Sequence, residues 1–497
     1  MPRPVRRTGG AVQNAAIERR SPVRPPTSAN ATGDASPVFG CGRHAIQPAP
    51  SGEGNAASGV APYRPSAYGR PCTIGDRSCR NACHNQATTG HWSSRTGRST
   101  APPGSGASSW SMRGYGTAVT AVERNWARNV SYRAPVQHPG SIEQLQRTVA
   151  DAPRVHALGT RHSFSTCADS DGLLVALDRI PADLEIDAEA GTATVGSAIR
   201  LGDLGRLLDE QGFAIANLPS LPHISLGGAV ATATHGSGDA LGVLATLVRG
   251  VEAVGPDGSL RRFAGEELGG AVLSYGALGV TTRITVALEP AFAVRQDAFS
   301  AMPWGDLEAH LDEVFGADPT PRDPADILAT TKNTEVGSPG PSWDRLPHFR
   351  LAAVPSVGEE LQSEYFVPRA AAGEALAALR AMGDDIDRAL HVTELRSVAA
   401  DDLWLSPAAG ADVLAIGFTW RDEPGLVLPL LPRIEERLVP LGARPHWAKL
   451  FAARGEALRA MHPRWDDFLA LRDAVDPDRV FANPFLEEVL GDPVPAR

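Results

Sequence analysis

Two runs rich in glycine and hydroxyl side chains carry the strongest chemical signal in the chain: Gly159-Thr-Arg-His-Ser-Phe164 and Ser220-Leu-Pro-His-Ile-Ser-Leu-Gly-Gly-Ala-Val-Ala-Thr-Ala-Thr-His-Gly-Ser-Gly238. Glycine allows positive φ and close approach, so such loops can turn successive backbone N–H groups toward a diphosphate. Glycines that only make turns would produce the same spacing. Neither run is a G-x-G-x-x-G fingerprint or a Walker loop, and no G-x-S-x-G elbow surrounds Ser237, which argues against a serine hydrolase. Glu394 and Arg396 stand two apart on a predicted strand and so share a face. There a carboxylate acceptor and a guanidinium donor can grip neighbouring hydroxyls, or simply pair with each other at the surface. Lys449 stands out by scarcity: with Lys332 it is one of two lysines among 47 basic residues. Unlike guanidinium, an ammonium can be desolvated and give up its proton near neutral pH, so a lysine kept here can assist or accept a hydroxyl proton. His162, taken alone, is most simply a hydrogen-bonded loop histidine.

The elements that must hold these residues follow from periodicity. Ser141-Ile-Glu-Gln144 is a capping box that opens a short helix with Ile142, Leu145 and Val149 on one side. A strand over 154–158 then runs into the first glycine loop. Strands are predicted over 173–177, 184–186 and 192–195, a helix over 201–211, and a hairpin over 251–263 about the turn Gly255-Pro-Asp-Gly258. Gly276-Ala-Leu-Gly-Val280 leads into a strand over 281–288. Residues 291–345 carry little signal and read as a linker. Beyond them strands are predicted over 364–367, 391–396 and 413–420, with helices over 370–382 and 428–438. The terminal Val480-Phe-Ala-Asn-Pro-Phe485 should dock on a core. The fold class is α+β.

The 497 residues, 52.3 kDa, suffice for two to four domains, and 42% hydrophobic with 21% charged residues is an ordinary globular mix. No stretch approaches 18 uninterrupted apolar residues, so no membrane span is expected. A net charge of −10 and a pI near 5.7 offer no general attraction to nucleic acid. The averages hide a break near residue 112. Before it stand thirteen arginines against Glu18, Asp34, Glu53 and Asp76, a net of +9, which leaves −19 for the rest of a chain totalling −10. This first segment has neither helical nor strand period and few large apolar residues, so residues 1–115 read as a disordered or non-native extension, with translation expected to start near Met112. It holds Cys41, Cys72, Cys79 and Cys83 with His84 and His91, but the CxxC spacing of strong zinc sites is missing and no metal site is predicted. No secretory signal is evident, Cys167 alone makes no disulfide framework, and a cytoplasmic monomer is the expectation.

Five ordered blocks together carry a resemblance: Gly159-Thr-Arg-His-Ser-Phe164, Ser220-Leu-Pro-His-Ile-Ser225, Thr234-His-Gly-Ser-Gly238, Gly276-Ala-Leu-Gly-Val280 and Arg444-Pro-His-Trp-Ala-Lys449. From about Asn125 to Leu490 the chain resembles the vanillyl-alcohol-oxidase flavoprotein superfamily, and within it the alditol (xylitol) oxidases. The resemblance implies a two-subdomain FAD-binding domain of the PCMH type over 116–292, an inserted α+β substrate domain over 293–452, and a segment over 453–497 returning to the first. It implies a covalent bond from His162 to the flavin, and a cradle from Ala157, Leu158, Gly159, Thr160, Arg161 and Ser163. Ser220, Ser225, Gly228, Thr232, Ala233, Thr234, His235, Val272 and His446 would complete the cofactor contacts. The implied reaction is hydride transfer from a terminal alcohol of a polyol to FAD, with O2 reduced to H2O2. Glu394, Arg396 and Lys449 would be the catalytic groups, with Ser220 and Thr419 lining the substrate pocket.

The chain departs from that pattern in three places. Gly417 stands where a pocket histidine is usual, and losing a general base typically costs 10²–10⁴ in rate unless another group substitutes. The stretch 299–348 is short, as though two strands were absent. Arg161 replaces a glycine and could reach the phosphates or point outward. Pro219, before Ser220, is compatible with O2 access or with a fixed turn. The rival readings are an aldonolactone oxidase or dehydrogenase, and a non-catalytic flavin-binding protein.

Overall fold

The computed structural model describes residues 11–17, 39–48, 123–302, 304–316, 340–345 and 358–491. The helix Ile142–Asp151 begins where its capping box predicts, with Ser141 Oγ accepting the Gln144 N–H at 3.2 Å. It buries Leu145 and Val149 and connects a small parallel sheet in the order Val136–Gln137, Leu173–Val175, Val155–Ala157. Five antiparallel strands form the next layer, ordered Leu260–Phe263, Val248–Val254, Val280–Ala287, Thr192–Gly196 and Leu184–Asp187. Val280–Ala287 alternates buried and half-buried residues, the period-two signature of a sheet with one face on the core.

The C-terminal helices Trp465–Val475 and Pro484–Leu490 put Trp465, Phe468, Phe485 and Leu486 into the same core as Ala193, Val195 and Ile284. Asn483 fastens this end. Its Oδ1 caps the last helix at Leu486 N–H, 2.8 Å, while its Nδ2 donates to the carbonyls of Cys167 and Asp169.

A third sheet, of eight strands, runs Gly340–Pro341, Phe292–Met302, Phe39–Pro48, Ala11–Ile17, Leu390–Val398, Val413–Arg421, Glu360–Pro368, Arg444–Pro445. In its last full strands the register pairs Gly417 with Glu364 on one side and Glu394 on the other. One face presents Tyr365, Leu395, Ile416, Phe418 and Trp420 to the helices Ala372–Arg380 and Leu430–Leu438, forming a second core. Each such side chain contributes roughly 1.5–3 kcal/mol on burial. A slip of one residue would turn the whole set to the wrong side, so these apolar residues hold the register. The first core also takes in Phe366, Val398 and Ala415 from the opposite face.

The structure differs from the sequence reading in several elements. Residues 1–115 were expected to hold no ordered element, yet the backbone of Ala11–Ile17 pairs with Leu390–Val398, and that of Phe39–Pro48 with Phe292–Met302. Their order comes from pairing with neighbouring strands, which no local period announces. The helix Leu226–Ala231 lies inside the run read as a loop, and Glu266–Ala271 and Trp465–Val475 are helices that the sequence reading did not assign. Met112, Cys72, Cys79, Cys83, His84 and His91, and residues 317–339 and 346–357, lie outside the described residues, as do the side chains of Cys41 and its strand.

Candidate functional site

The first glycine loop leaves the strand Val155–Ala157 with Leu158 N–H still bonded to the Val175 carbonyl, 2.8 Å. A Cβ on Gly159 would stand 3.2 Å from Ser225 Oγ, and one on Gly228 3.1 Å from the same atom. At Gly227 a Cβ would come within 2.9 Å of Ser197 Cβ. The two loops therefore meet at Ser225, where a side chain in place of Gly159 would have to displace the Ser225 hydroxyl. Thr160 Oγ1 accepts from Ser225 N–H at 3.4 Å, and Thr232 Oγ1 donates to the Gly228 carbonyl at 2.8 Å. Ala233 has φ 57° and Arg161 φ 63°, left-handed conformations that cost an L-residue roughly 1–2 kcal/mol. Of the two roles open to Arg161, the structure takes the outward one: its Nε lies 2.5 Å from the Glu123 carboxylate and its Nη1 donates to the Gly159 carbonyl at 3.2 Å.

His162 stacks on Trp126, ring centroids 6.0 Å apart at 18°. Its Nδ1 is buried without a hydrogen-bond partner. Burial pushes the ring's pKa down to about 4, so the imidazole is neutral near pH 7 and its bare nitrogen is nucleophilic. An orphaned buried nitrogen costs about 1–3 kcal/mol, and bonding to a prosthetic group would give that atom a partner. These residues fit a covalently held nucleotide cofactor. Val272, also expected at the cofactor, is 1% exposed within the core.

The second half of the site is a polar row across the eight-stranded sheet. Arg396 Nη2 donates to Ser220 Oγ and to Glu394 Oε2, both at 2.5 Å. Gly417 lies between Glu394 and Glu364, whose Cα atoms are about 10 Å apart by strand spacing. Thr419 is on the same face one pair along, opposite Gln362 and Val392. The glycine loop reaches this sheet directly, with Gly238 N–H bonded to the Ser397 carbonyl at 2.9 Å.

Lys449 Nζ lies 3.0 Å from Glu364 Oε2, and His235 Nε2 lies 3.3 Å from the same oxygen. Glu364 is 3% exposed. Burial raises its carboxyl, but the Lys449 ammonium, and then His235, outweigh that and hold it well below the usual carboxylate range. His446, on the same loop as Lys449, is pushed down to about 3 by burial, partly countered by the Glu364 charge. Its Nδ1 accepts the Ala448 N–H at 3.3 Å.

The structure thus brings Ser220, Glu394 and Arg396 together, sets Thr419 on their face, and joins His235 and Lys449 through a group the sequence reading passed over. Glu364 appeared there only as the start of a strand. Its signal was an acid set among Tyr365, Phe366 and Val367, in a strand that proves buried on both faces. Trp126 was missed as well, since nothing in sequence pairs it with His162.

Comparisons with known proteins give the family and the fold. Residues 134–264 match the FAD binding domain family and residues 358–489 the D-arabinono-1,4-lactone oxidase family. An alditol oxidase from Streptomyces sp. is 41% identical over 416 residues, 75% of this chain and 99% of the relative. An L-gulono-1,4-lactone dehydrogenase from Mycobacterium tuberculosis is 28% identical over 432 residues, 75% of this chain and all of the relative. Among solved structures, a cholesterol oxidase from B. sterolicum superposes with a TM-score of 0.58 at 15% identity, covering 74% of this chain and 96% of that one, which bears on the fold alone. No described helix is long and apolar enough to cross a membrane.

Proposed function

The chain belongs to the family of FAD-linked oxidases that includes alditol oxidase, and from that premise we propose that it oxidises a terminal alcohol of an open-chain polyol such as xylitol or sorbitol, with O2 as the electron acceptor and H2O2 as product. The observation that carries the reading is the meeting of Ser220 with Arg396, 176 residues away in sequence, at 2.5 Å, where Arg396 also donates to Glu394 at 2.5 Å. A guanidinium, a hydroxyl and a carboxylate at one point supply donors and acceptors in the alternation a chain of hydroxyls needs. Thr419 would add a further hydroxyl contact. Lys449 brings a positive charge to the other end of the row.

FAD, when bound, supplies the redox chemistry that amino-acid side chains lack, taking hydride from the carbinol carbon and passing electrons to O2. The loops 157–163 and 225–235 would hold it, with His162 Nδ1 as the covalent tether. Glu394 and Arg396 bind and orient the substrate hydroxyls.

The test is anaerobic addition of xylitol or sorbitol to the purified yellow protein. Bleaching of the flavin, with H2O2 formed on admitting air, is expected. Bleaching by L-gulono-1,4-lactone and by neither alditol would favour the lactone reading, for which the match of residues 358–489 to a lactone oxidase family and the glycine at 417 speak. No bleaching by any of them would leave a flavin-binding protein without this chemistry.

A further inference from the structure

Glu364 has a role that the polyol reading does not assign. Its carboxylate is as buried as an apolar core residue, 3% exposed, whereas Lys449 and Glu394 are 22% and 25% exposed at their side chains. An isolated carboxylate would be strongly unfavourable there, and it is retained in company: Lys449 Nζ and His235 Nε2 share its Oε2. Both carriers are anchored. His235 Nδ1 lies 2.8 Å from the Gly236 carbonyl, which can only accept, and this contact fixes the ring with Nε2 turned to Glu364. The backbone of His446 donates to the Glu364 carbonyl at 3.0 Å, and Lys449 N–H to the His446 carbonyl at 2.9 Å. His446 is a further titratable group that acts on this carboxylate, and Glu394 and Arg396, paired with each other, stand across Gly417. Oε1 leans over the glycine, 3.3 Å from where a Cβ would stand.

We propose that Glu364 is the positioning residue of this site: seated by His235, its carboxylate holds the Lys449 ammonium over the polar row, so that Lys449 meets the substrate as a hydrogen-bond donor and not as the acceptor of its hydroxyl proton. When the substrate O–H bond breaks, the proton passes to the Glu394 carboxylate, the more exposed acid of the row. The absent histidine at 417 and the buried acid at 364 are then one arrangement, because a side chain on Gly417 would meet Glu364 Oε1 first. The proposal rests on the polyol reading for its substrate, but its geometry does not.

The two lysines of this chain make the test direct. The FAD-loaded protein and its Glu364→Gln variant are labelled briefly with acetic anhydride at pH 7, and acetylation of Lys449 is read by peptide mass against Lys332. An amine deprived of its carboxylate partner gives up its proton more readily, so the ratio should rise at least tenfold in the variant; an unchanged ratio overturns the proposal. Glu364→Asp, one methylene short but still charged, should fall between the two, and it decides the matter in the same way if the Gln variant does not fold. With an alditol, Glu364→Gln should slow anaerobic flavin reduction at least tenfold in the native background and add nothing to Lys449→Met, since it acts through Lys449. Losses that multiply in the double variant overturn the proposal. If no alditol reduces the native protein, the functional reading falls and the labelling alone decides Glu364.

Discussion

Phe164 donates its backbone N–H to the carbonyl of Ala448 at 2.7 Å, so the loop carrying His162 and the loop carrying Lys449 are hydrogen-bonded to one another. Ser165 strengthens the seam, its N–H also reaching Ala448 O and its Oγ donating to the Trp447 carbonyl at 2.6 Å. The proposed cofactor tether and the proposed substrate contact are thereby referenced to the same backbone. Catalysis gains from such fixed placement, since a 1 Å error can cost 10²-fold.

His162→Ala should yield folded protein whose flavin is released on acid precipitation, whereas the native protein should keep its colour in the pellet. Peptide mapping of the native pellet is expected to find the flavin on His162. Colour in the native supernatant would remove the covalent tether.

Gly227→Ala tests the cradle. The added Cβ would press within 2.9 Å of Ser197 Cβ, and crowding of this kind costs about 1–3 kcal/mol. A lower urea midpoint and weaker flavin retention are expected together, and an unchanged midpoint would show that Gly227 is not packed tightly against Ser197.

Gly417→Ala separates shape from stability. The nearest atom to the new methyl is the far end of Glu364, 3.3 Å away, which can shift. The expected loss of stability is under about 1 kcal/mol, while flavin reduction by the alditol slows at least tenfold as the carboxylate is displaced. Equal rates would mean that Glu364 Oε1 has no bearing on the pocket.

Arg396→Lys should raise KM for the alditol by at least tenfold with retained flavin content. Lysine keeps the charge but cannot reach Ser220 and Glu394 through one planar fork. Native kinetics in this variant would place the substrate elsewhere.

Acid stability should be governed in part by His462, wedged between Trp447 and Trp465 with both ring nitrogens buried and unpartnered. Burial pushes it down to about 3 from the ordinary 6.5. Between those values the unfolded chain binds a proton that the folded one does not, so stability falls as pH drops below 6.5 and continues to fall to about 3. At pH 5 the loss is about 2 kcal/mol. His462→Phe should flatten this limb in urea titrations at pH 5 and pH 8. An equal pH dependence in the variant would assign the acid limb to other groups.

Much of the site was legible in the residues alone. The helix capped by Ser141, the glycine loops, and the pairing of Glu394 with Arg396 follow from local rules: capping geometry, glycine's freedom, and the period of two. Other features have no local trace. A charged residue within a strand looks like a solvated one until its neighbours are known, and that hid Glu364. Nothing near Trp126 in sequence points to His162, and the strands Ala11–Ile17 and Phe39–Pro48 lack any period of their own.

By itself, then, the order of residues determined many of the elements, the two glycine loops and the chemical types that could act, because these depend on backbone freedom and spacing within a dozen residues. Only the tertiary structure decided what Lys449 faces. Its Nζ lies 3.0 Å from a buried carboxylate 85 positions earlier in the chain, and electrostatic interaction depends on distance and burial, which chain separation does not reveal.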